Sequence, residues 1–223
     1  MRQVILDTET SGLDFEKDRI IEVGCLELVD GIFTGKKFHN YYKPDNIVIS
    51  SESEQIHGLN NSFLSKFSSF DSCVQDFLEF LEDSQLIIHN VQFDLSMINQ
   101  SLKRMSIKQI DKKNTICTLE LARKKFPGSK NNLNALCRRF DINLDSREKH
   151  GALIDSFLLL EVYNELLGGK QKKLDLSIEP SVSKQNFSKH NSKKYILVNL
   201  TNEEISDHNE MLSNMRKKIW VDQ

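Results

Sequence analysis

Apolar and polar residues alternate in the N-terminal part of the chain at the two-residue spacing of β-strands. Gln3–Asp7 predicts a short buried strand, and Arg19–Val29 predicts a second strand with a nearly alternating pattern. The second strand ends at Asp30-Gly31, a dipeptide typical of tight hairpin turns, and Ile32–Tyr42 predicts a returning third strand. The pattern therefore indicates an antiparallel meander.

The spacing then changes to the three- and four-residue intervals of helices, beginning with Val74, Phe77, Leu78 and Leu81. The later predicted elements are a strand at Leu86–His89, a helix from about Leu95 to Met105, a strand at Thr115–Cys117, and helices at Leu119–Phe126, Leu133–Phe140 and Ala152–Leu167. Strand–helix units that follow a meander predict an α/β fold. We expect a mixed sheet flanked by helices, with active groups collected at the strand ends.

The composition changes after Gly169. Residues 170–194 are rich in lysine and serine and have few apolar side chains, which predicts a flexible basic linker. Further on, Thr201 or Asn202 is placed to cap a helix with Glu203 and Glu204 in its first turn and Arg216, Lys217 and Lys218 in its last. We expect three parts: a folded domain at 1–169, a flexible linker at 170–194, and a C-terminal segment at 195–223 that is too short to form a core of its own.

The overall charge limits the kind of partner. Thirty basic and 32 acidic residues give a formal charge of −2, unlike proteins that neutralise many phosphates of a long duplex, so any nucleic-acid contact should be local. No apolar run is long enough to cross a membrane and no leader sequence is evident, so we expect a cytoplasmic protein without a membrane partner. The cysteines lack a C-x-x-C pair and are interpreted as reduced packing residues: Cys25, Cys73, Cys117 and Cys137.

Acidic residues stand at the ends of the predicted buried strands. Asp7 and Glu9 are two residues apart at the end of the first strand, so their carboxylates project from the same face. Asp94 follows the apolar strand at 86–89, and Asp155 lies in the first turns of the last predicted helix of the domain. Carboxylates placed together repel, and hard oxygen ligands favour Mg²⁺ or Mn²⁺ over zinc. If the fold joins these acids, they can hold two divalent cations about 3.5–4 Å apart, as in phosphoryl transfer.

His150 precedes Asp155 by five residues, on the loop that enters the same helix. Imidazole titrates near neutrality, which makes His150 the candidate base that takes the proton of an attacking water. An isolated D-x-E pair is more often a pair of surface acids, and His89 is interpreted as a satisfied core histidine. The catalytic interpretation depends on the motifs occurring together and in order.

The motifs are D-T-E-T at 7–10, H-N-V-Q-F-D at 89–94 and H-G-A-L-I-D at 150–155, joined by F-H-N-Y-Y-K-P-D at 38–45, I-H-G-L at 56–59, A-R-K-K-F-P-G at 122–128 and L-N-A-L-C-R-R-F at 133–140. Together they resemble the DEDDh family of 3′–5′ exonucleases, most closely the proofreading members that serve bacterial replicative DNA polymerases. The resemblance covers nearly the whole chain. It implies a ribonuclease H-like fold and a metal-dependent 3′–5′ exodeoxyribonuclease that releases nucleoside 5′-monophosphates. It also implies that Asp7, Glu9, Asp94 and Asp155 bind the metals and that His150 is the general base.

The resemblance further implies residues that contact the substrate, which is the 3′ end of single-stranded or frayed primer DNA. Besides Asp7, Glu9 and Asp155, the implied contacts are Glu52, His57, Thr8 and Leu13, with Asn90 and Phe93 as supports. Glu54 is a rival to Glu52, because the segment around 50–55 departs from the family pattern. Because the pocket needs an unpaired 3′ end, a mismatched terminus that frays easily should enter at lower cost than a paired one.

The tail contains two candidate docking segments. Gln171, Leu174 and Leu176 resemble the short peptide by which replication proteins bind the sliding clamp, although a hexamer of this kind also arises by chance. Its position directly after the domain at 1–169 favours the clamp. In the last segment an apolar strip and Trp220 have no domain to join, which favours docking on a partner. The resemblance identifies this partner as the polymerase catalytic subunit.

Two other functions use the same features. A stand-alone RNA-trimming 3′–5′ exoribonuclease would carry the same motifs, although a tethering tail argues against it. A non-catalytic adaptor between clamp and polymerase would need the tail alone, although the intact acids and His150 argue against it.

Overall fold

The computed structural model describes residues 1–145, 147, 149–169 and 201–214. They fall into two units, the first within Met1–Leu174 and the second within Asp175–Gln223. Within the described ranges no helix is long and apolar enough to cross a membrane.

The first unit is built on a five-stranded mixed sheet with the order β3-β2-β1-β4-β5. The strands are β1 (Arg2–Thr10), β2 (Ile20–Val29), β3 (Ile32–Tyr41), β4 (Gln85–Ile88) and β5 (Thr115–Cys117). The first three pair antiparallel, whereas β4 pairs parallel with β1 and β5 pairs parallel with β4. Asp30 and Gly31 both have positive φ, at 51° and 78°, as a two-residue hairpin turn between right-twisted strands requires. The predicted meander and mixed sheet are confirmed.

Helices cover both faces of this sheet. They are α1 (Ser51–His57), α2 (Asn61–Leu64), α3 (Phe70–Leu81), α4 (Val91–Arg104), α5 (Thr118–Lys125), α6 (Leu133–Arg139) and α7 (Ala152–Leu166). Val4 and Leu6 of β1 belong to a core cluster with α3 and α4, whereas Ile5 belongs to a second cluster with α5, α6 and α7. Because side chains alternate along a strand, even-numbered residues of β1 face the α3–α4 layer and odd-numbered ones face the α5–α7 layer.

The α7 helix is set against β2 at a glycine. A Cβ atom on Gly24 would lie 2.3 Å from the backbone carbon of Ala152, so any larger side chain there would push the start of α7 away from the sheet. One turn further on, the Ser156 hydroxyl donates a hydrogen bond of 2.9 Å to the Gly24 carbonyl. Gly24 is opposite Asp7 in the β1–β2 register, so this contact brings the first turn of α7 to the acidic end of β1.

All four cysteines are free thiols, as predicted; Cys25 and Cys137 are buried and the other two are half-buried. Three differences from the sequence predictions bear on the site. The β1 strand continues to Thr10, so Glu9 lies within it, and α4 begins at Val91, so Asp94 is in its first turn and not on a loop. The helices α1 and α2 were not predicted, because their sequences, SESEQIH and NSFL, show no periodic apolar face.

The second unit contains α8 (Asn202–Asn214). Its N-terminus is closed by a reciprocal pair of hydrogen bonds: the Thr201 hydroxyl accepts from the Glu204 amide at 3.3 Å, and the Glu204 carboxylate accepts from the Thr201 amide at 2.8 Å. Of the two predicted capping residues, Thr201 and Asn202, it is Thr201 that caps the helix. The clamp-like residues Gln171, Leu174 and Leu176, the linker at 170–194, the basic residues 216–218 and Trp220 lie outside the described residues.

Candidate active site

Asp7 and Glu9 lie on the central strand of the sheet. In the β1–β2 register they stand opposite Gly24 and Glu22. As odd-numbered residues they face the α5–α7 layer, and Glu9 is only 9% exposed. The two carboxylates of β1 therefore face the helix layer that carries Asp155.

Asp94 reaches β1 from the other helix layer. The parallel pairing of β1 with β4 ends at Leu6 and Ile88, so the backbone of β1 beyond Leu6 has no strand partner on that side. The first turn of α4 takes this place, because the Thr8 amide donates to Asp94 Oδ1 at 3.2 Å and the Thr8 hydroxyl donates to the same oxygen at 2.7 Å. Asn90, with φ of 68°, makes the sharp entry into α4 that places Asp94 here.

Asp155 and His150 approach from α7 and the loop before it. The Asp155 amide donates to the Gly151 carbonyl at 2.8 Å, which fixes Asp155 in the first turn of α7. His150 is held by a bond of 3.1 Å from its amide to the Ile56 carbonyl at the end of α1. Ligand atoms of Glu9, His150 and Asp155 all lie within 4.8 Å of one another. The strand, the loop and the helix therefore converge on one point.

The carboxylates oppose one another's ionisation. Burial raises the pKa of Asp7 well above its ordinary value, and Asp94, Glu9 and Asp155 raise it further. Burial is also the first cause of the raised pKa values of Glu9, about 8, and of Asp94, about 7. Arg147 acts in the opposite direction on Asp7 and Glu9. Such mutual repulsion shows that the acids form one cluster, in which positive charge is favoured.

Arg147 is a member of the site that the sequence reasoning missed. Its side chain is 5% exposed and donates to Asp155 Oδ2, to Asn134 Oδ1 on α6, and to His150 Nδ1 at 3.0 Å. Because the guanidinium donates to Nδ1, the electron pair of that nitrogen faces Arg147 and the neutral ring carries its proton on Nε2. Burial, and then Arg147, lower the pKa of His150, while Asp155 acts to raise it. No motif in the sequence marks this arginine.

The remaining predicted residues surround the cluster at different depths. His57 is buried at the end of α1, and burial lowers its pKa, with Glu22, Glu54 and His150 close enough to act on it. Its Nδ1 accepts from the Leu59 amide at 3.0 Å, and its Nε2 has no hydrogen-bond partner among the described residues. Glu52 and Glu54 are both exposed on α1. His57 is therefore the best placed of these residues to contact a ligand.

Four other predicted residues differ in their exposure and contacts: Leu13, Thr8, Phe93 and His89. Leu13 is 78% exposed on the β1–β2 loop, whereas Thr8 is buried with its hydroxyl already bonded to Asp94. The Phe93 ring packs against Phe15, with 5.7 Å between centroids. His89 is half-buried; its Nδ1 lies 2.9 Å from the Thr118 hydroxyl, burial lowers its pKa to about 4, and its Nε2, like that of His57, has no hydrogen-bond partner among the described residues.

The donor set fits divalent metal ions. Asp7, Glu9, Asp94 and Asp155 offer carboxylate oxygens from β1, α4 and α7, a ligand type that suits hard cations. Oδ1 of Asp155 is buried and has no hydrogen-bond partner among the described residues. A buried carboxylate oxygen without a partner is costly unless a cation or a donor satisfies it, so this atom points to a metal ligand.

The Thr8–Asp94 bond leads to a first prediction. Thr8→Val keeps the shape of the side chain and removes the 2.7 Å bond that orients Asp94, so we expect Mn²⁺ affinity, measured by calorimetry, to fall by about 10–100-fold. Thr10→Val is the matched control, because Thr10 is equally buried at 6% and its hydroxyl donates to the Gly12 carbonyl instead. Equal loss of affinity in both variants would contradict the orienting role of Thr8.

The comparisons with known proteins agree with this geometry. The sequence profile of the Exonuclease family, RNase_T, matches residues 4–163. A DNA polymerase III subunit epsilon from Rickettsia felis is 42% identical over 225 residues, which cover 97% of this chain and 98% of the relative. The corresponding subunit from Escherichia coli K12 is 35% identical over 232 residues, which cover 97% of this chain and 94% of the relative.

Solved structures show the same fold at low sequence identity. Exonuclease X in complex with 5′ overhanging duplex DNA has a TM-score of 0.58 at 23% identity, covering 74% of this chain and 90% of that one. Escherichia coli Exonuclease I in complex with a dT13 oligonucleotide has a TM-score of 0.67 at 14% identity, covering 75% of this chain and 41% of that one. The profile match and the near full-length identities place the chain in the family of 3′–5′ exonucleases and, within it, among the DNA polymerase III epsilon subunits.

Proposed function

We propose that the protein removes mispaired 3′-terminal nucleotides from primer DNA during replication, releasing nucleoside 5′-monophosphates. The observation that carries the proposal is the convergence of Glu9, His150 and Asp155 within 4.8 Å, beside Asp7 and Asp94. This arrangement combines metal-binding acids with a base, which hydrolysis of a phosphodiester requires.

The residues have separate tasks in this reaction. Asp7, Glu9, Asp94 and Asp155 would hold two divalent cations, Mg²⁺ or Mn²⁺. When bound, such cations supply positive charge that polarises the phosphodiester and stabilises the departing 3′ oxygen. His150, whose ring lies beside Asp155, accepts the proton of the attacking water. The lowered pKa of His150 supports this role, because it keeps the ring neutral and able to accept a proton.

The terminal nucleotide is expected to lie beside His57 and the exposed side chain of Leu13. His57 offers a buried Nε2 that lacks a partner in the described part of the chain, and Leu13 offers an apolar surface to a base. Glu52 and its rival Glu54 are both exposed on α1, the helix that ends at His57. Thr8 supports the site through Asp94, to which both its amide and its hydroxyl donate.

Selectivity for errors follows from the need for an unpaired end. A paired 3′ terminus must be melted before it reaches the acids, whereas a mismatched one is already frayed. The enzyme therefore discriminates by the free energy of opening the terminus and needs no contact that identifies the base.

Digestion of primer–templates tests this function. We expect a single terminal mismatch to be removed faster than a paired terminus, and a ribonucleotide 3′ end to be removed more slowly than either. Preference for the RNA end would instead support an RNA-trimming enzyme. If no nucleoside monophosphate were released under any condition with Mg²⁺ or Mn²⁺, an adaptor without catalysis would be favoured.

We also propose that the chain is organised as an exonuclease domain at 1–169, a linker at 170–194 with a clamp-binding peptide, and a polymerase-binding segment at 195–223. The supporting observations are the glutamine and leucines of the peptide at 171–176 and the capped helix α8. Replacement of Gln171, Leu174 and Leu176 by alanine should abolish clamp binding in surface plasmon resonance, whereas Lys172→Ala and Lys173→Ala should preserve it. A chain ending at 194 should keep clamp binding and lose polymerase binding, and the opposite result would contradict the assignment.

A further inference from the structure

A cavity of about 410 Å³ opens between the end of α1, one face of α6 and the loop that leads to α7. We call it the α1–α6 pocket. Arg147 and His150 of the active site line it, together with the exposed residues Arg138 and Lys149. Its volume lies within the range of roughly 300–1,000 Å³ that is usual for small-molecule sites. Among the described residues that line it, three carry positive charge and none carries a carboxylate, so the pocket attracts anions.

The α1–α6 pocket adjoins the acid cluster at His150. This residue lines the pocket, and its Nδ1 lies 3.4 Å from Asp155 Oδ2. The described residues around the pocket include none of the four metal-binding acids. A ligand in the pocket would therefore lie beside the metal-binding site without occupying it.

Two of the cations are held in place before any ligand binds. Lys149 Nζ donates to the Gln55 carbonyl at 2.8 Å, which fixes the ammonium at the end of α1. Arg147, with 5% of its side chain exposed, donates to Asn134 Oδ1 on α6. Cations that are already positioned lose little conformational freedom when an anion binds.

Arg147 also has a donor without a partner. Its Nε is buried and makes no hydrogen bond to any of the described residues. A buried N–H group without an acceptor is costly, so this atom favours an acceptor that a ligand in the pocket would supply.

The other residues of the lining suit the remainder of a nucleotide. Ile56, 50% exposed, and Leu144 offer apolar surface to a base, whereas Gln55 and Asn134 carry side-chain amide donors. Cations for a phosphate, amides for polar edges and apolar side chains for a ring are together the complement of a nucleotide.

We propose that the α1–α6 pocket is a second nucleotide site, which binds a nucleoside 5′-monophosphate with its phosphate at Arg138 and Lys149. The ligand is the product of the reaction proposed above, so the inference rests on that function and adds a place for the product away from the metal-binding acids. Because His150 borders both sites, a nucleotide released from the acids has the pocket beside it.

Binding of thymidine 5′-monophosphate to the full-length chain in the presence of EDTA tests the proposal. Under these conditions the four acids have no cations through which to hold a phosphate, so the binding that remains reports the pocket. In isothermal titration calorimetry we expect Arg138→Met and Lys149→Met each to raise Kd about tenfold, because each removes a charge-assisted hydrogen bond to the phosphate. Thymidine and inorganic phosphate should each bind at least about tenfold more weakly than the nucleotide, because each lacks one half of the contacts.

Arg123→Met and Lys113→Met are the matched controls. They remove an exposed arginine on α5 and an exposed lysine before β5, neither of which lines the pocket. We expect both variants to bind the nucleotide as the unmodified chain does. Lys149→Met also removes the bond to the Gln55 carbonyl, so Arg138→Met, which changes an exposed side chain, carries the test alone if thermal melting shows that the Lys149 variant is unfolded.

Three results would overturn the proposal. The first is the absence of nucleotide binding in EDTA, or a Kd that is unchanged in the folded variants at Arg138 and Lys149. The second is equal affinity for inorganic phosphate and for the nucleotide, because the apolar and amide groups would then contribute nothing. The third is a loss of oligothymidylate binding in these variants while monophosphate binding stays unchanged, because the pocket would then belong to the DNA strand.

The exonuclease function is tested separately, by release of nucleoside monophosphates in the presence of Mg²⁺ or Mn²⁺. A chain that binds the monophosphate in EDTA and releases none from DNA would retain the pocket and refute the proposed function. A chain that hydrolyses DNA and binds no monophosphate in EDTA would refute the pocket alone.

Discussion

Replacement of Asp7 by alanine is expected to lower the kcat of nucleotide release by at least about 10³-fold, the largest loss of any single substitution considered. Asp7 stands at the centre of the cluster, where Asp94, Glu9 and Asp155 all act on its pKa. Its removal takes away the carboxylate that faces every other acid, so the positive charge needed at the phosphodiester is no longer held in place. Release of nucleoside monophosphates from an oligothymidylate measures the effect.

Glu27→Gln is the control for the Asp7 variant. Glu27 is also a buried carboxylate, 5% exposed, on the strand next to β1, but it pairs with Arg2 at 2.7 Å at the other end of the sheet. We expect Glu27→Gln to reduce thermal stability and to preserve kcat for the folded protein. Activity that survives in Asp7→Ala, or that is lost equally in Glu27→Gln, would contradict the assignment of the metal-binding acids.

Replacement of His150 by glutamine is expected to lower kcat by about 10²–10⁴-fold, the contribution of general base catalysis. The loss should be smaller than for Asp7→Ala, because the acids and the charge they hold remain. The pKa of His150 lies below its ordinary value, so kcat of the unmodified enzyme should stay high as the pH falls until the ring is protonated, and then decline. This acidic decline should be absent from the pH–rate profile of His150→Gln.

His39→Gln is the matched control for the His150 variant. His39 is also a partly buried histidine beside a carboxylate, with 2.7 Å between its Nε2 and Glu22 Oε1, and glutamine can still donate to that oxygen. We expect this variant to retain the activity and the acidic decline of kcat. A pH–rate profile of His150→Gln that matched the unmodified enzyme would exclude His150 as the base.

Much of the architecture could be read from periodicity, because long elements repeat their pattern often enough to be recognised. The strands at Arg19–Val29 and Ile32–Tyr42 and the helix at Ala152–Leu167 were predicted to within a residue of their observed ends. The helices α1 and α2 escaped prediction because side-chain caps at Ser50 and Asn60, and not an apolar repeat, define where they start.

The site likewise contains residues that the sequence predicts and residues that only the folded structure brings together. The acids and His150 stand in motifs at strand ends and helix starts, so sequence order and local structure were enough to propose them. Arg147 has its partners on α6 and α7, and only the packing of those helices brings Asn134 and Asp155 to it. Thr8 was expected to contact substrate, but whether its hydroxyl meets Asp94 depends on where β4 stops, which no local pattern encodes.

The close packing of α7 on Gly24 has a consequence for biosynthesis. Asp7 is among the first residues to leave the ribosome, whereas Asp155 comes from the last helix of the first unit and reaches β1 only when that helix closes over β2. A nascent chain that already contains the whole sheet still lacks Asp155 and the His150 loop. An interrupted translation product that ends before the His150 loop therefore carries Asp7, Glu9 and Asp94 but lacks the two residues that complete the site.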